Sequence, residues 1–379
     1  MNALELLSGD AQNFVEKIWA SRVHLHKADP ADLVGLLSFD DVDQLLTSTA
    51  IRTPAVRLAQ DGSVLPASKY TRSGATLAGQ PLTGLVDARK VIDLFEGGAT
   101  VVLQGLHRYW PPLARLIAEL ELSLGHPCQA NAYLTPPGSQ GFAVHSDSHD
   151  VFVFQTHGSK LWEVDAAPGD EDHDPREVLL EPGLSMYLPT GTLHAARAQN
   201  TVSLHVTIGI NQLTWRSLVT REVGRLLAEV PDDHLPAGYL DDPARLSEGL
   251  ADHLAAVADA VRRLDPAALA DGQVEGFVSG RPPRLAGALL DRDALATGID
   301  ARTHLRRRRG HPCVLVDDGD AVRVLIGDRV LRVPSRVRPA LEHVAAHAEL
   351  RPHDLPLDDE SALVLSRRLV REGLLEVVR

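Results

Sequence analysis

Two cysteines, Cys128 and Cys313, are all that 379 residues contain. They lie far apart in the chain, so neither a disulfide framework nor a cysteine zinc cluster can be built from them, and a reducing compartment is expected. Lysine is nearly as scarce. The 38 basic residues include five lysines (Lys17, Lys27, Lys69, Lys90 and Lys160), and the rest are arginines. Each lysine is therefore a place where the commoner cation was not used. No apolar run approaches the roughly 20 residues of a membrane-spanning helix. The N-terminal stretch carries Glu5, Asp10, Glu16 and Lys17 and lacks the basic start and apolar run of an export signal. A cytoplasmic protein without a membrane partner is the expectation.

What is present is ordinary globular material. Apolar residues make up 44% and charged residues 23%, which excludes a wholly disordered or collagen-like chain. The length suggests two or three domains at roughly 100–200 residues each. A net charge of −13 argues against the whole surface being a glove for nucleic acid or an anionic membrane.

Local patterns divide the chain. Ser38 opens a capped short helix, with acidic residues in its first turn. Leu113, Leu116, Ile117, Leu120 and Leu124 predict an amphipathic helix over 111–124, stopped by Gly125. From Gln129 to Ile210 short strands alternate with Pro- and Gly-containing turns (129–134, 151–155, 160–164, 185–188 and 203–210), a spacing that suits a sandwich or barrel. Helical patterns follow at 213–230 and 243–264. In the second, Leu246, Leu250, Leu254, Val257, Val261 and Leu264 form a stripe that suits either a seam between subunits or an intrachain core. The last stretch predicts strands at 314–316, 322–326 and 330–333, helices at 335–348 and 359–371, and a closing strand at 374–378, a pattern resembling a winged helix.

The chemistry concentrates at His145-Ser146-Asp147. In an extended segment residues i and i+2 share a face, so His145 and Asp147 point the same way. One such His-x-Asp is expected by chance among 17 histidines. A second pattern raises its meaning: Gly183-x5-Pro189-x-Gly191-x2-His194. It matches the second motif of cupin barrels as far as the histidine, although the asparagine that often follows is replaced by Ala198. Gly183 and Pro189-x-Gly191 make turns that would deliver His194 opposite His145 and Asp147. Two histidines and a carboxylate on one octahedral face leave positions open, which suits non-haem Fe(II) and oxygen activation. Lys160 stands among Val151, Phe152, Val153, Phe154, Leu161 and Trp162. Pointing inward, it would need an anion, because an unpaired buried ammonium is costly. Pointing outward, it would be a solvated strand residue.

The run from Asn131 through Tyr133, His145, Asp147 and Lys160 to Trp162 resembles the JmjC/cupin-type ribosomal oxygenases, which are Fe(II)- and 2-oxoglutarate-dependent protein hydroxylases. The resemblance continues in Gly191-Thr-Leu-His194 and Ser203-Leu-His-Val-Thr-Ile-Gly209, and upstream in Pro54-Ala-Val-Arg57, Asp61-Gly62 and Tyr70. It implies an α+β chain: a double-stranded β-helix (the cupin or jelly-roll JmjC barrel), then a helical dimerisation region, then a C-terminal winged helix, over 1–212, 213–302 and 303–379. By position it implies His145, Asp147 and His194 as iron ligands. It also implies Lys160 as the cation for the far carboxylate of 2-oxoglutarate, and Asn131 and Tyr133 as polar contacts to that cosubstrate. Ser203 would support them from the same motif, and O2 would be the oxidant. The implied partner is a protein substrate, a basic ribosomal protein, with a homodimer as the assembly.

Some residues depart from the family pattern. Ser146 stands where an aromatic residue often lies between the histidine and the aspartate, which re-polarises the mouth and allows a peptide natural-product precursor or a small molecule as substrate. Lysine rather than arginine at position 160 resembles the histidine-hydroxylating branch more than the arginine-hydroxylating one. Among other histidines, His149 is a candidate fourth ligand, His157 and His173 read as surface, and His205 reads as core or pocket wall. The Arg306–Arg309 run could touch nucleic acid, which would make the chain a metal-binding cupin regulator acting through its winged helix. Residues 301–379, however, balance 15 arginines against 12 acidic residues, an excess of three that favours packing or the docking of a basic protein over nucleic acid.

Overall fold

The computed structural model describes residues 2–74, 76–139, 143–170 and 175–379. Two compact units are present: residues 1–212 together with 282–379, and residues 213–281.

In the first unit, strands that are distant in sequence lie side by side. The major sheet runs in the order His24–Lys27, Leu184–Leu188, Asp150–His157, Ser203–Ile210, Cys128–Thr135, Thr100–Leu103, Val56–Gln60, Ser63–Val64. The minor sheet runs Arg176–Leu180, Lys160–Val164, His194–Ala198. All of these pairings are antiparallel. Alternation along the major-sheet strands divides their side chains. Phe152, Phe154, Tyr187, Val206 and Ile208 face the N-terminal helices in the main core, whereas Val151 and Val153 face inward. Phe14 meets Phe152 and Tyr187 at ring-centroid distances of 5.2 and 4.9 Å, aromatic contacts worth roughly 0.5–1.5 kcal/mol each beyond burial.

The helices carry the end signals read from the sequence. Phe39–Thr47 begins with a Ser38–Asp41 capping box, and Pro111–Leu124 ends at Gly125 in the left-handed region. The turn before strand Leu184–Leu188 requires Gly183. Its φ is +96°, and a Cβ there would lie 2.9 Å from the Pro30 ring. Between residues 129 and 210 two strands are not evident in the sequence pattern, Arg176–Leu180 and His194–Ala198, and both belong to the minor sheet; the major-sheet strands before residue 129 are not evident either.

Residues 282–379 contain a three-stranded sheet (Val314–Asp318, Ala321–Leu325, Val330–Pro334), helices Ala288–Thr297, Arg338–Ala346 and Asp359–Glu372, and a second small sheet in which Leu305–Arg307 pairs with Glu349–Leu350 and Leu375–Val377. The arginine run is consumed there. Arg306 pairs with Glu376, Arg307 donates to the Ala345 carbonyl, Arg309 pairs with Glu119, and Arg308 is buried against Asp291 and Glu376.

The unit at residues 213–281 holds helices Trp215–Glu229, Ala244–Arg262 and Pro266–Ser279. No residue of Ala244–Arg262 is buried, and Leu250 and Leu254 are 53% and 60% exposed. The apolar stripe read from the sequence is not an intrachain core. No helix among the described residues is long and apolar enough to cross a membrane.

Candidate metal centre and its cavity

His145 and His194 are 49 positions apart, and the backbone brings them together. They form an antiparallel bridge in which the His145 amide donates to the His194 carbonyl at 3.0 Å and the His194 amide returns the bond at 2.8 Å. Side chains of such a pair leave on the same face, and the two rings stand 4.5 Å apart. Asp147 follows at i+2, and its carbonyl accepts from the Gly191 amide at 3.0 Å. One donor atom from each of His145, Asp147 and His194 lies within 4.8 Å of the others. His194 Nε2 is 3.7 Å from Asp147 Oδ2.

Both imidazoles are oriented from behind. His145 Nδ1 bonds the Ala143 carbonyl at 2.8 Å, and His194 Nδ1 bonds the Thr192 carbonyl at 3.0 Å. An Nδ1–H donated to a carbonyl leaves Nε2 as the lone-pair nitrogen, the form that a metal takes. Burial holds His194 below the ordinary histidine value, which favours that neutral form. The donor set of two neutral imidazoles and a carboxylate fits Fe(II) with positions to spare.

The triad opens into a cavity of about 260 Å³ between the two sheets, lined also by Arg57, Tyr133, Lys160, Trp162, His205 and Thr207. Lys160 points inward. It is 3% exposed, whereas the other four lysines are exposed. It begins the strand whose other end, Val164, pairs with His194. Four strand residues span roughly 13 Å, so the ammonium is set at the far end of the same face from the triad. Its partner is Thr135 Oγ1 at 3.3 Å, a neutral group. Burial pushes Lys160 down to about 8.

Other cavity walls are polar and unsatisfied. Arg57 Nε, Trp162 Nε1 and His205 Nδ1 have no hydrogen-bond partner among the described residues. Burial first, then the charge of Lys160, holds His205 well below its ordinary value. A buried cation with unpaired donors and an acceptor beside it is the lining expected for a small anionic, hydrogen-bonding ligand. Such a site fits a dicarboxylate cosubstrate.

The remaining sequence candidates are distributed as follows. Tyr133 lines the cavity and stacks on His205, with centroids 4.9 Å apart and planes 4° apart. Asn131 is not in the lining; its Oδ1 accepts from the Gly105 amide at 3.0 Å. Ser203 is fully buried, and its hydroxyl accepts from Gln155 Nε2 at 2.9 Å. His149 is outside the donor cluster and lies over Gly209, where a Cβ would come within 2.6 Å of its ring. His157 is exposed and stacks on Phe39. His173 lies outside the described residues. The sequence reading gave Arg57, Trp162 and Thr135 no role in the site. Register places Arg57 opposite Val102, Val102 opposite Tyr133, and Tyr133 opposite His205. That row across four strands is invisible until the strands are paired.

The barrel of two antiparallel sheets, with a His-x-Asp and a distant histidine near one another, has a cupin-type architecture. Residues 108–218 match the family model of the JmjC domain. The chain is similar to proteins named ribosomal oxygenase. It is 30% identical to human Ribosomal oxygenase 1 over 222 residues, covering 54% of this chain and 33% of that protein. It is 35% identical over 167 residues to the Branchiostoma floridae protein named bifunctional lysine-specific demethylase and histidyl-hydroxylase NO66, covering 42% of this chain and 26% of the other. The chain thus spans about a quarter to a third of the length of these two relatives. The solved structure of the ribosomal oxygenase YcfD of Escherichia coli, in complex with cobalt and 2-oxoglutarate, has the same fold, with a TM-score of 0.52 and 20% identity over 97% of this chain and 98% of that one.

Proposed function

We propose that this chain is an Fe(II)- and 2-oxoglutarate-dependent dioxygenase that hydroxylates a histidine or arginine side chain of a basic ribosomal protein. The observation that carries the reading is Lys160, a buried lysine with a hydroxyl as its partner, sharing one cavity with the His145–Asp147–His194 cluster. His145, Asp147 and His194 hold the metal. When bound, iron supplies the oxidising power that couples O2 and 2-oxoglutarate decarboxylation to insertion of oxygen into a C–H bond, giving succinate and CO2. The chain's own residues position and exclude. Lys160 anchors the far carboxylate, with Thr135 steadying its ammonium. Tyr133 and His205 wall the cosubstrate, and Trp162 and Val153 keep water out. Asn131 and Ser203 brace the strands that carry these walls.

The finer parts of the reading follow from the same resemblance. The division is 1–212 for the catalytic domain, 213–302 for a helical dimerisation region and 303–379 for a winged-helix-like domain. The uncovered stripe of Leu250 and Leu254 supports pairing with a second copy. The setting is the cytoplasm, and the acidic body attracts a basic protein. The test is intact-mass analysis of ribosomal proteins from cells with and without this chain. A gain of one oxygen atom on a single ribosomal protein, reproduced with purified chain, Fe(II) and 2-oxoglutarate, is the expected result. Succinate formation with a hydroxylated small peptide instead would keep the enzyme class and overturn the ribosomal substrate.

A further inference from the structure

Asp150 is a carboxylate with 2% exposure on the outer face of strand Asp150–His157, the side away from the cavity. None of the ion pairs recorded among the described residues involves it. Three neutral donors meet it instead. The Tyr187 hydroxyl donates to one oxygen at 2.5 Å, and the Thr190 amide and Thr190 hydroxyl donate to the other at 2.8 and 2.6 Å. Short bonds to an ionised acceptor are the strong kind, and a buried carboxylate without them would be expelled or protonated.

What these bonds join is informative. Thr190 sits in the turn Pro189–Thr192, which delivers His194. Asp150 ends the segment that carries His145 and Asp147. Two more bonds close the same seam: Gly191 N–H to the Asp147 carbonyl at 3.0 Å, and Gln212 Nε2 to Thr190 Oγ1 at 2.7 Å. The two ligand-bearing segments also meet at the bridge between His145 and His194 and at the ladder that pairs Val151 with Leu188, just before the turn.

We propose that Asp150 is a positioning residue, a latch that fixes the Pro189–Thr192 turn against the His145–Asp147 segment and so sets the spacing of the three metal donors. It touches neither metal nor cosubstrate and acts through Thr190. The Tyr187 bond, on the other oxygen, ties the carboxylate to the N-terminal region through the Ala20 amide, which donates to the Tyr187 hydroxyl at 2.9 Å. That side anchors the latch, and the Thr190 side does the positioning. The inference rests on the metal reading of the triad.

The test uses the full chain freed of metal and titrated with Co(II), read by calorimetry and by the Co(II) absorption spectrum. Thr190→Val removes the hydroxyl while keeping the shape. Its Co(II) affinity is expected to fall about 10-fold, the usual scale for groups that orient metal ligands, with an altered spectrum. Tyr187→Phe should bind Co(II) within about twofold of the unsubstituted chain even where it unfolds at a lower temperature, because Asp150 keeps both Thr190 bonds. Thr190→Ser should restore affinity and spectrum. Unchanged affinity and spectrum in Thr190→Val would overturn the latch, and so would an equal loss in Tyr187→Phe, which would mark general destabilisation. Absence of Co(II) binding by the unsubstituted chain, matched by His145→Ala, would overturn the metal reading and the latch with it.

Discussion

His145 and His194 exchange both backbone hydrogen bonds, at 3.0 and 2.8 Å, and their rings therefore project together beside Asp147. The pairing of the two histidines is held by main chain, so loss of a ligand side chain should leave the fold standing. His145→Ala and Asp147→Ala are expected to abolish succinate formation and Co(II) binding. Neither residue is buried, so stability should change by less than about 1 kcal/mol. Turnover and chemical denaturation check the two halves, and full activity in either variant would remove the iron assignment.

Lys160 should work against the fold that holds it. Replacing it with methionine, similar in length and uncharged, is expected to raise unfolding free energy at pH 7 by about 3 kcal/mol, the scale set by its depressed proton affinity. The same variant should lose the thermal stabilisation that 2-oxoglutarate gives the native chain, roughly 2.7 kcal/mol at a hundredfold excess over Kd. Melting curves with and without the diacid decide both.

The pH dependence has a definite sign. The folded value of Lys160, about 8, lies below its ordinary one, so between the two the unfolded chain binds more protons and this group makes stability rise with pH. The gap between Lys160→Met and the native chain should therefore close as pH climbs from 8 towards 10. Affinity for 2-oxoglutarate moves the other way and falls above pH 8 as the cation is lost. Thr135→Val, which removes the hydroxyl 3.3 Å from the ammonium, should shift that fall to lower pH. Calorimetric titration across roughly pH 6.5–9.5 measures it.

Arg308 and Asp291 are 5% and 2% exposed and form an ion pair at 2.5 Å. Arg308→Ala leaves the carboxylate buried with its main partner gone, and the cost is expected near 3–5 kcal/mol. Arg306→Ala and Arg309→Ala, on exposed arginines, should cost less than about 1 kcal/mol. Thermal unfolding of the three variants separates them.

Leu250 and Leu254 carry the test of assembly. With both changed to glutamate, a dimer held by their stripe should become a monomer by light scattering, with the cavity's response to Co(II) unchanged. A native chain that is monomeric at about the tens of micromolar used for light scattering would rule the seam out.

Much of the barrel is legible because period-two patterns mark its strands. Lys160–Val164 and Ser203–Ile210 have the bounds read from the sequence. The triad is legible because its spacing lies within two short motifs. The strands Arg176–Leu180 and His194–Ala198 are not legible, because one has the sequence Arg-Glu-Val-Leu-Leu and the other is mostly alanine, and neither alternates cleanly. Arg57, Trp162 and Thr135 are hidden for a different reason. Their place in the site comes from cross-strand register, a long-range property that no local window contains. The arginine run misleads in the opposite sense: four adjacent cations suggest an anion-binding surface, yet each is already bonded within the fold.

Lys160 is 3% exposed whereas His145 and Asp147 are only partly buried, and this difference has a kinetic consequence for the proposed reaction. A diacid held by Lys160 would lie deeper than the three donors, and a macromolecule resting over His145 and Asp147 would block its path. On the proposed function, the small diacid should therefore enter before the large substrate, and its product should leave after it. Initial-rate patterns should show the substrate adding second. A saturating amount of substrate should trap the diacid inside rather than compete with it.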